Sequence, residues 1–307
     1  MITNFKLNAQ EVKMALSDTT SSTLWTGVDL DGFYSKLFFE STAIQNFKKF
    51  LNIKSKAKIA KMDASSIIQD DGDTFSSSNA TVSQKQIEVA PKRINLTLPI
   101  SVLEQGFIST QLQAGSQTAS FSTGDFLNYV VDFAGRLGGQ DIEKLTWSAS
   151  DSEGLLYKIN ADTATTRVTA TTVTSSNVLT EIGKVYSAAS ANVLGRADAV
   201  IYVSSNVMKA YKIAFGTAAL SNGGFAALLG EYNYLGIKIV EAKGMADNRM
   251  VLSYNDNLAF STDLEDDYKN VNVIDMTQST GDAQLRVVAR FKVAFDYINS
   301  DEVVGYY

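Results

Sequence analysis

The sequence contains no cysteine and no histidine. Without cysteine there is no thiolate nucleophile, no soft metal ligand and no disulfide. Without histidine there is no side chain that titrates near neutrality, and the commonest metal ligand is gone. Carboxylates, Ser/Lys pairs and tyrosine remain available for catalysis, so these absences narrow the enzyme classes without closing them. Prolines are almost missing too, with only Pro91 and Pro99. No stretch approaches the roughly 18 apolar residues that a membrane span needs. Met1 to Asp18 carries Lys6, Glu11 and Lys13 and lacks the continuous apolar core of a signal peptide. These features predict a chain made and folded in a cytoplasm, with no membrane partner.

What is present is ordinary in bulk and uneven in placement. The 307 residues are 45% hydrophobic and 20% charged, which suits a folded chain of one or two domains. The net charge of −6 argues against a dedicated nucleic-acid binder, which usually has a basic surplus. Between Lys48 and Lys61 lie six lysines and no acid. From Tyr254 to Tyr307 lie ten acids against four bases, a local net of −6, so the first 253 residues sum to zero. Such runs are either solvated faces or complementary contacts between copies of one protein.

Residues 1 to about 50 read as an extended arm, with Phe33-Tyr34, Leu37, Phe38, Phe39, Ile44, Phe47 and Leu51 suited to one face of a short helix near its end. Ile53 to Ile59 alternates strictly, which predicts a strand with Lys54, Lys56 and Lys58 on one side and Ile53, Ala57 and Ile59 on the other. Turn chemistry follows at Gln69 to Asp73 and Ser76 to Asn79. A returning strand is expected from Gln86 to Ile100, at an edge or interrupted, because each proline removes a ladder donor. Together these stretches predict a long projecting hairpin. Ser122 and Asp125 have capping-box-like spacing ahead of a helix over 123–147. Phe126, Val130, Phe133 and Leu137 recur at three- and four-residue steps, and Gly135, Gly138 and Gly139 predict a bend or close backbone approach. Ala161 to Ser176 reads as a loop or short hairpin. From Asn177 the pattern is α/β: a helix from Val178, a buried strand Ala199–Val203, and a helix capped by Ser205. Strands follow at Leu235 to Val240, Met250 to Tyr254, Leu258 to Phe260, Val271 to Ile274 and Leu285 to Phe295.

No constellation carries catalytic chemistry. Asp70-Asp71-Gly72-Asp73 lacks the ligand ladder and terminal glutamate of an EF-hand, and Glu265-Asp266-Asp267 reads as an interstrand loop. Ser55 and Lys58 have Ser-x-x-Lys spacing, but they fall in the lysine strand and have no companion motif. The glycines at 135–139 and 223–224 match neither a dinucleotide fingerprint nor a P-loop. No catalytic residue, metal site or cofactor is therefore expected.

The order of segments resembles the major capsid proteins of tailed bacteriophages, the Hong Kong 97 phage fold. The likeness lies in Ile87 to Ser101 with Val102-Leu103-Glu104, in the helix over 123–147, and in Ser152 to Leu156 after it. It continues through Ala197 to Tyr211, Tyr234 to Val240, Met245, Met250 to Phe260, and Leu285 to Asp296 with the run to Tyr307. It covers most of residues 50–307 as order and pattern. A proline common near the Met245 turn is absent, and no lysine–asparagine pair is assigned to covalent crosslinking.

The resemblance implies an α+β fold in five parts. These are an N-terminal arm (1–52), an extended hairpin loop (53–100), a peripheral domain with the spine helix (101–176), an axial α/β domain (177–264) and closing strands returning to the peripheral domain (265–307). It implies a non-enzymatic subunit that assembles with copies of itself into hexamers and pentamers of an icosahedral head around double-stranded DNA. Portal, scaffold or decoration proteins are the further partners, and the location is the virion after assembly in the host cytoplasm. With only some fifty residues ahead of the lysine strand, no large cleaved prodomain is expected. The lysines Lys54, Lys56 and Lys58 are expected either to face acids of an adjacent subunit, Glu265, Asp266 and Asp267 being the densest group, or to form a solvated edge that blocks aggregation. An encapsulin-type cargo shell shares the fold. A tail or surface-layer protein and a carboxylate hydrolase are the other readings.

Overall fold

The computed structural model describes residues 24–25, 41–64, 80–99, 124–221, 232–263, 272–276 and 280–307. In chain order, its first elements are strand β1 (Leu24–Trp25), helix α1 (Thr42–Asn46), and strands β2 (Lys48–Phe50), β3 (Lys56–Ala64), β4 (Ala80–Glu88) and β5 (Ala90–Pro99). Helices α2 (Gly124–Thr146) and α3 (Leu155–Ala161) follow, then strand β6 (Thr166–Val168), helices α4 (Val178–Ala188) and α5 (Ala191–Leu194), strand β7 (Ala199–Val203) and helix α6 (Ser205–Ser221). The strands that follow are β8 (Asn233–Tyr234), β9 (Ile237–Glu241), β10 (Met250–Tyr254), β11 (Leu258–Thr262), β12 (Asn272–Asp275), β13 (Gln284–Tyr297) and β14 (Val304–Tyr306), with short 3-10 turns at Asn255–Asn257 and Ser300–Glu302.

Two compact units share the chain, each drawn from three stretches. One takes residues 1–40, 91–139 and 264–291; the other takes 41–90, 140–263 and 292–307. In the first unit β1 pairs antiparallel with β12, and β12 pairs antiparallel with the start of β13, from Asn272↔Val288 to Asp275↔Leu285.

The second unit is built on a six-stranded mixed sheet in the order β6-β14-β10-β7-β9-β8. Its middle strands β7 and β10 are uninterrupted apolar or small-residue runs, buried at every position, as strands covered on both faces must be. On one face Ala199, Ile201 and Val203 of β7 join Val178, Ile182 and Val185 of α4 and Val207, Met208 and Tyr211 of α6 in the main core. Positions 178, 182 and 185 form the four-then-three step of a helix stripe. On the other face Tyr202 packs into an aromatic cluster, edge-on to Phe47 and tilted against Trp147, with centroids 5.0 to 5.8 Å apart. Beside it the buried Glu143 accepts hydrogen bonds from the Ser41 hydroxyl and from Trp147 Nε1 (3.1 Å). Gly244 lies so close to this helix that a Cβ there would come within 2.3 Å of the Glu143 carbonyl.

Several elements differ from the sequence expectation. The first hairpin strand begins at Lys56, not Ile53. Its return begins at Ala80 rather than Gln86, and the expected interruption falls at Val89, after which a second strand pairs with β13 and ends on Pro99. α2 ends at Thr146 rather than at 147, and Gly135, Gly138 and Gly139 lie buried within it, as a close backbone approach there requires. Phe47 and Leu51 are not on a helix with Ile44, because α1 ends at Asn46. The Thr-rich stretch contains β6, paired in parallel with β14. Ser205 is the first residue of α6, and Ser204 before it holds the turn, accepting the Arg249 N–H at 3.3 Å. Leu235 and Gly236 form a left-handed turn (φ 47° and 88°) between β8 and β9 rather than starting a strand. Phe33 to Phe39, the 69–79 turns, Ser122 and the 222–224 loop lie outside the described residues.

Candidate assembly interface

β3 and β4 pair antiparallel over nine residues each, from Lys56↔Glu88 to Ala64↔Ala80, as a two-stranded ribbon of their own. Lys56 and Lys58 are exposed, while Ala57 and Ile59 are half-buried, so the alternation sorts lysine outward. At the root, Ile53, Ile87 and Val89 are buried against Ala259 of β11 and Ala294 of β13, with Phe50, Ala57 and Ile59 packed beside them. The entering chain turns at Asn52 (φ 64°), and the Ile53 N–H donates to the Thr262 carbonyl at 3.1 Å. The leaving chain is tied back by the Val89 N–H to the Ser55 carbonyl at 3.0 Å.

A charged network fixes the same root. Lys85 of β4 reaches Asp296 of β13 at 2.9 Å, with its ammonium 3.3 Å from the centre of the Tyr297 ring. Lys158 of α3 meets the other Asp296 oxygen at 3.2 Å and donates to the Phe295 carbonyl at 2.8 Å. The Tyr297 hydroxyl donates to Asp162 at 2.8 Å, and the Ser300 hydroxyl joins it at 2.7 Å. Burial pulls the Lys85 ammonium below the ordinary lysine value, against the opposing pull of Asp296. Burial would raise the Asp162 carboxyl, but bonds from the Ala164 N–H, Ser300 and Tyr297 outweigh it and hold it below the usual range. Burial, and then Asp162, push the Tyr297 phenol up. Each charge faces an opposite charge or a donor, so the network is a clasp.

The three lysines singled out by sequence sit at and beside this hairpin. Lys56 forms an ion pair with Glu88 directly across the ribbon (3.0 Å), with both side chains more than half exposed. The Lys54 carbonyl accepts a bond from Lys292, which also pairs with the buried Asp263, both at 3.0 Å. Glu265, Asp266 and Asp267 lie outside the described residues. Lys85, Asp296, Lys158 and Asp162 were missed by the sequence reading. The one signal was an aspartate inside the apolar run Val293 to Tyr297, where burial demands a partner. Among the described residues, no cluster of three or more acids, cysteines or histidines is placed to hold a metal, and no helix is long and apolar enough to cross a membrane.

No protein-family model and no curated protein matches the chain. Solved structures do. A chain of the satellite phage P4 procapsid, in a structure that includes the size determination (Sid) protein, superposes with a TM-score of 0.56 at 9% identity over 90% of this chain and 98% of that one. A capsid chain of the empty GTA particle gives 0.53 at 14% identity over 98% and 99%. The virus-like particle from Pyrococcus furiosus gives 0.51 at 10% identity over 90% and 96%. The chain has the Hong Kong 97-type capsid fold that its segment order resembles.

Proposed function

We propose that this chain is the structural subunit of an icosahedral shell, the major capsid protein of a tailed phage. It assembles with itself into hexamers and pentamers around double-stranded DNA, in the host cytoplasm, and remains in the virion. Portal, scaffold and decoration proteins are its further partners, and its role is not catalytic. The supporting observation is coverage: the likeness takes in nine-tenths or more of this chain and nearly all of each shell chain described above. The hairpin supports the same reading: among the described residues it is clasped at its root, and an isolated two-stranded ribbon is marginally stable in water and gains from a neighbour. In this reading Lys54, Lys56 and Lys58 face acids of an adjacent subunit, Glu265, Asp266 and Asp267 among them.

A cargo-holding shell is the second reading, favoured by the likeness to a virus-like particle of Pyrococcus furiosus. Electron microscopy of the purified protein tests the shell: closed particles are expected, and a monodisperse monomer at high concentration rejects both readings. The contents then separate them. Nuclease-protected double-stranded DNA in particles from the natural source marks a capsid, and enclosed protein marks a cargo shell.

A further inference from the structure

Among the described residues, the six-stranded sheet of the second unit ends at β6 with no strand on its outer side. β6 runs parallel to β14 with Thr166 opposite Val304 and Val168 opposite Tyr306. The Thr166 N–H donates to the Val303 carbonyl, the Val168 carbonyl accepts from Tyr307, and the Ala170 N–H donates to the Tyr307 carbonyl, all at 3.2 Å. The even-numbered residues thus spend their backbone groups on β14, so Arg167 and Thr169 turn theirs to the other side. Among the described residues no strand lies there, since β6 ends the sheet order. Arg167 and Thr169 are exposed.

Natural sheet edges are blunted by lysines, prolines, bulges or inward charges. This one reads Thr-Arg-Val-Thr-Ala-Thr-Thr-Val from Thr166 to Val173, rich in β-branched residues and free of proline. Its single charge is turned back along its own chain, with the Arg167 guanidinium donating to the Asp162 carbonyl at 2.9 Å. The other edge of the sheet is closed differently. The Asn233 carbonyl of β8 accepts the Tyr211 hydroxyl at 2.7 Å, and the strand ends at once in the Leu235-Gly236 turn. Among the described residues of this sheet, the β6 edge is the one that offers a ladder.

We propose that the β6 edge pairs antiparallel with the β6 edge of a second copy of this chain across a two-fold axis. A two-fold contact requires a self-complementary surface, and this edge supplies one. Centred on Val168, the pairing sets Arg167 opposite Thr169 twice, so each exchanges both backbone bonds with the other and no like charges face each other. This contact rests on the reading of the chain as self-assembling, and it assigns one interface of that assembly.

The absence of cysteine gives a clean test. Arg167→Cys and Thr169→Cys both replace exposed side chains, and directly opposed hydrogen-bonded residues lie about 5.5 Å apart, within disulfide reach. Mixing the two variants before assembly and oxidising mildly should give a covalent dimer on a non-reducing gel. Each variant alone should give none, and circular dichroism checks that both are folded. Dimer from a single variant alone, or none from the mixture, overturns this pairing. Closed particles without the cross-link leave the shell reading intact and remove this inference. A cross-linked dimer that never forms particles does the reverse.

Discussion

At the residue scale the most consequential side chain is Asp296, at the meeting of three elements. It is nearly buried and neutralises two lysines that are each about a quarter exposed or less. Truncating one partner of a buried ion pair costs more than the pair contributes, because the other charges are left without compensation. Asp296→Ala should therefore lower stability by about 3 kcal/mol, towards the low end of the buried-pair range because the lysines keep some solvent. Reversing the exposed Lys56–Glu88 pair should change it by at most about 1 kcal/mol. Urea midpoints at constant m-value would check both. The pH dependence follows from the depressed carboxyls. Asp162 is held low as described, and Glu181 is held low because Lys184, Tyr306 and Thr171 outweigh the opposing effect of burial. A carboxyl with a folded-state pKa below its unfolded value contributes stability above the unfolded value, and that contribution is lost as pH falls through the folded one. The melting temperature should thus hold steady down to about pH 4, where unfolded carboxyls begin to protonate, and drop below it. Asp162→Asn should flatten part of that drop.

At the element scale, what the sequence discloses depends on whether a partner is local. The hairpin was legible because Ile53 to Ile59 alternates by itself, and β7 was legible because five apolar residues in a row have few other places to go. The break at Val89 was also written in the sequence, as a change of parity: Ile87 and Val89 are odd, Ile94, Leu96 and Leu98 are even, and one continuous strand cannot bury both sets on one face. β6 was not legible, because its three residues become a strand only when β14, over a hundred positions later, lies beside them. The clasp was invisible for the same reason, since Lys85 and Asp296 are linked by the fold and by nothing in their neighbourhoods. The lysine row can be tested as an element. Lys54, Lys56 and Lys58 are exposed, so the triple change to Glu should leave far-ultraviolet dichroism and the urea midpoint nearly unaltered. If the row faces a neighbour's acids, the same protein should fail to form particles under the microscope; normal particles would show that the lysines do not meet a neighbour's acids.

At the scale of the whole molecule, small terms become decisive through repetition. A contact worth a fraction of a kilocalorie in one subunit recurs at every equivalent interface of a shell, and each 1.4 kcal/mol per subunit moves an association equilibrium about tenfold. The net charge of −6 then works in two directions. It gives free subunits little attraction for nucleic acid, so binding to linear double-stranded DNA should be weaker than about micromolar at physiological salt and should weaken steeply as salt rises. Between subunits it is a repulsion that any shell must overcome, and salt screens that repulsion along with the attractions. The two accounts of the lysine row therefore predict opposite slopes. If Lys54, Lys56 and Lys58 meet acids across an interface, raising salt from about 50 to 500 mM, which cuts the screening length several-fold, should raise the subunit concentration needed for particles. If the row meets no acids of a neighbour, screening removes only the net repulsion, and that concentration should fall. Light scattering across a protein and salt titration reads the sign directly; on the first account the triple glutamate variant, with acids facing acids, should form no particles at low salt, and on the second it should keep the falling slope.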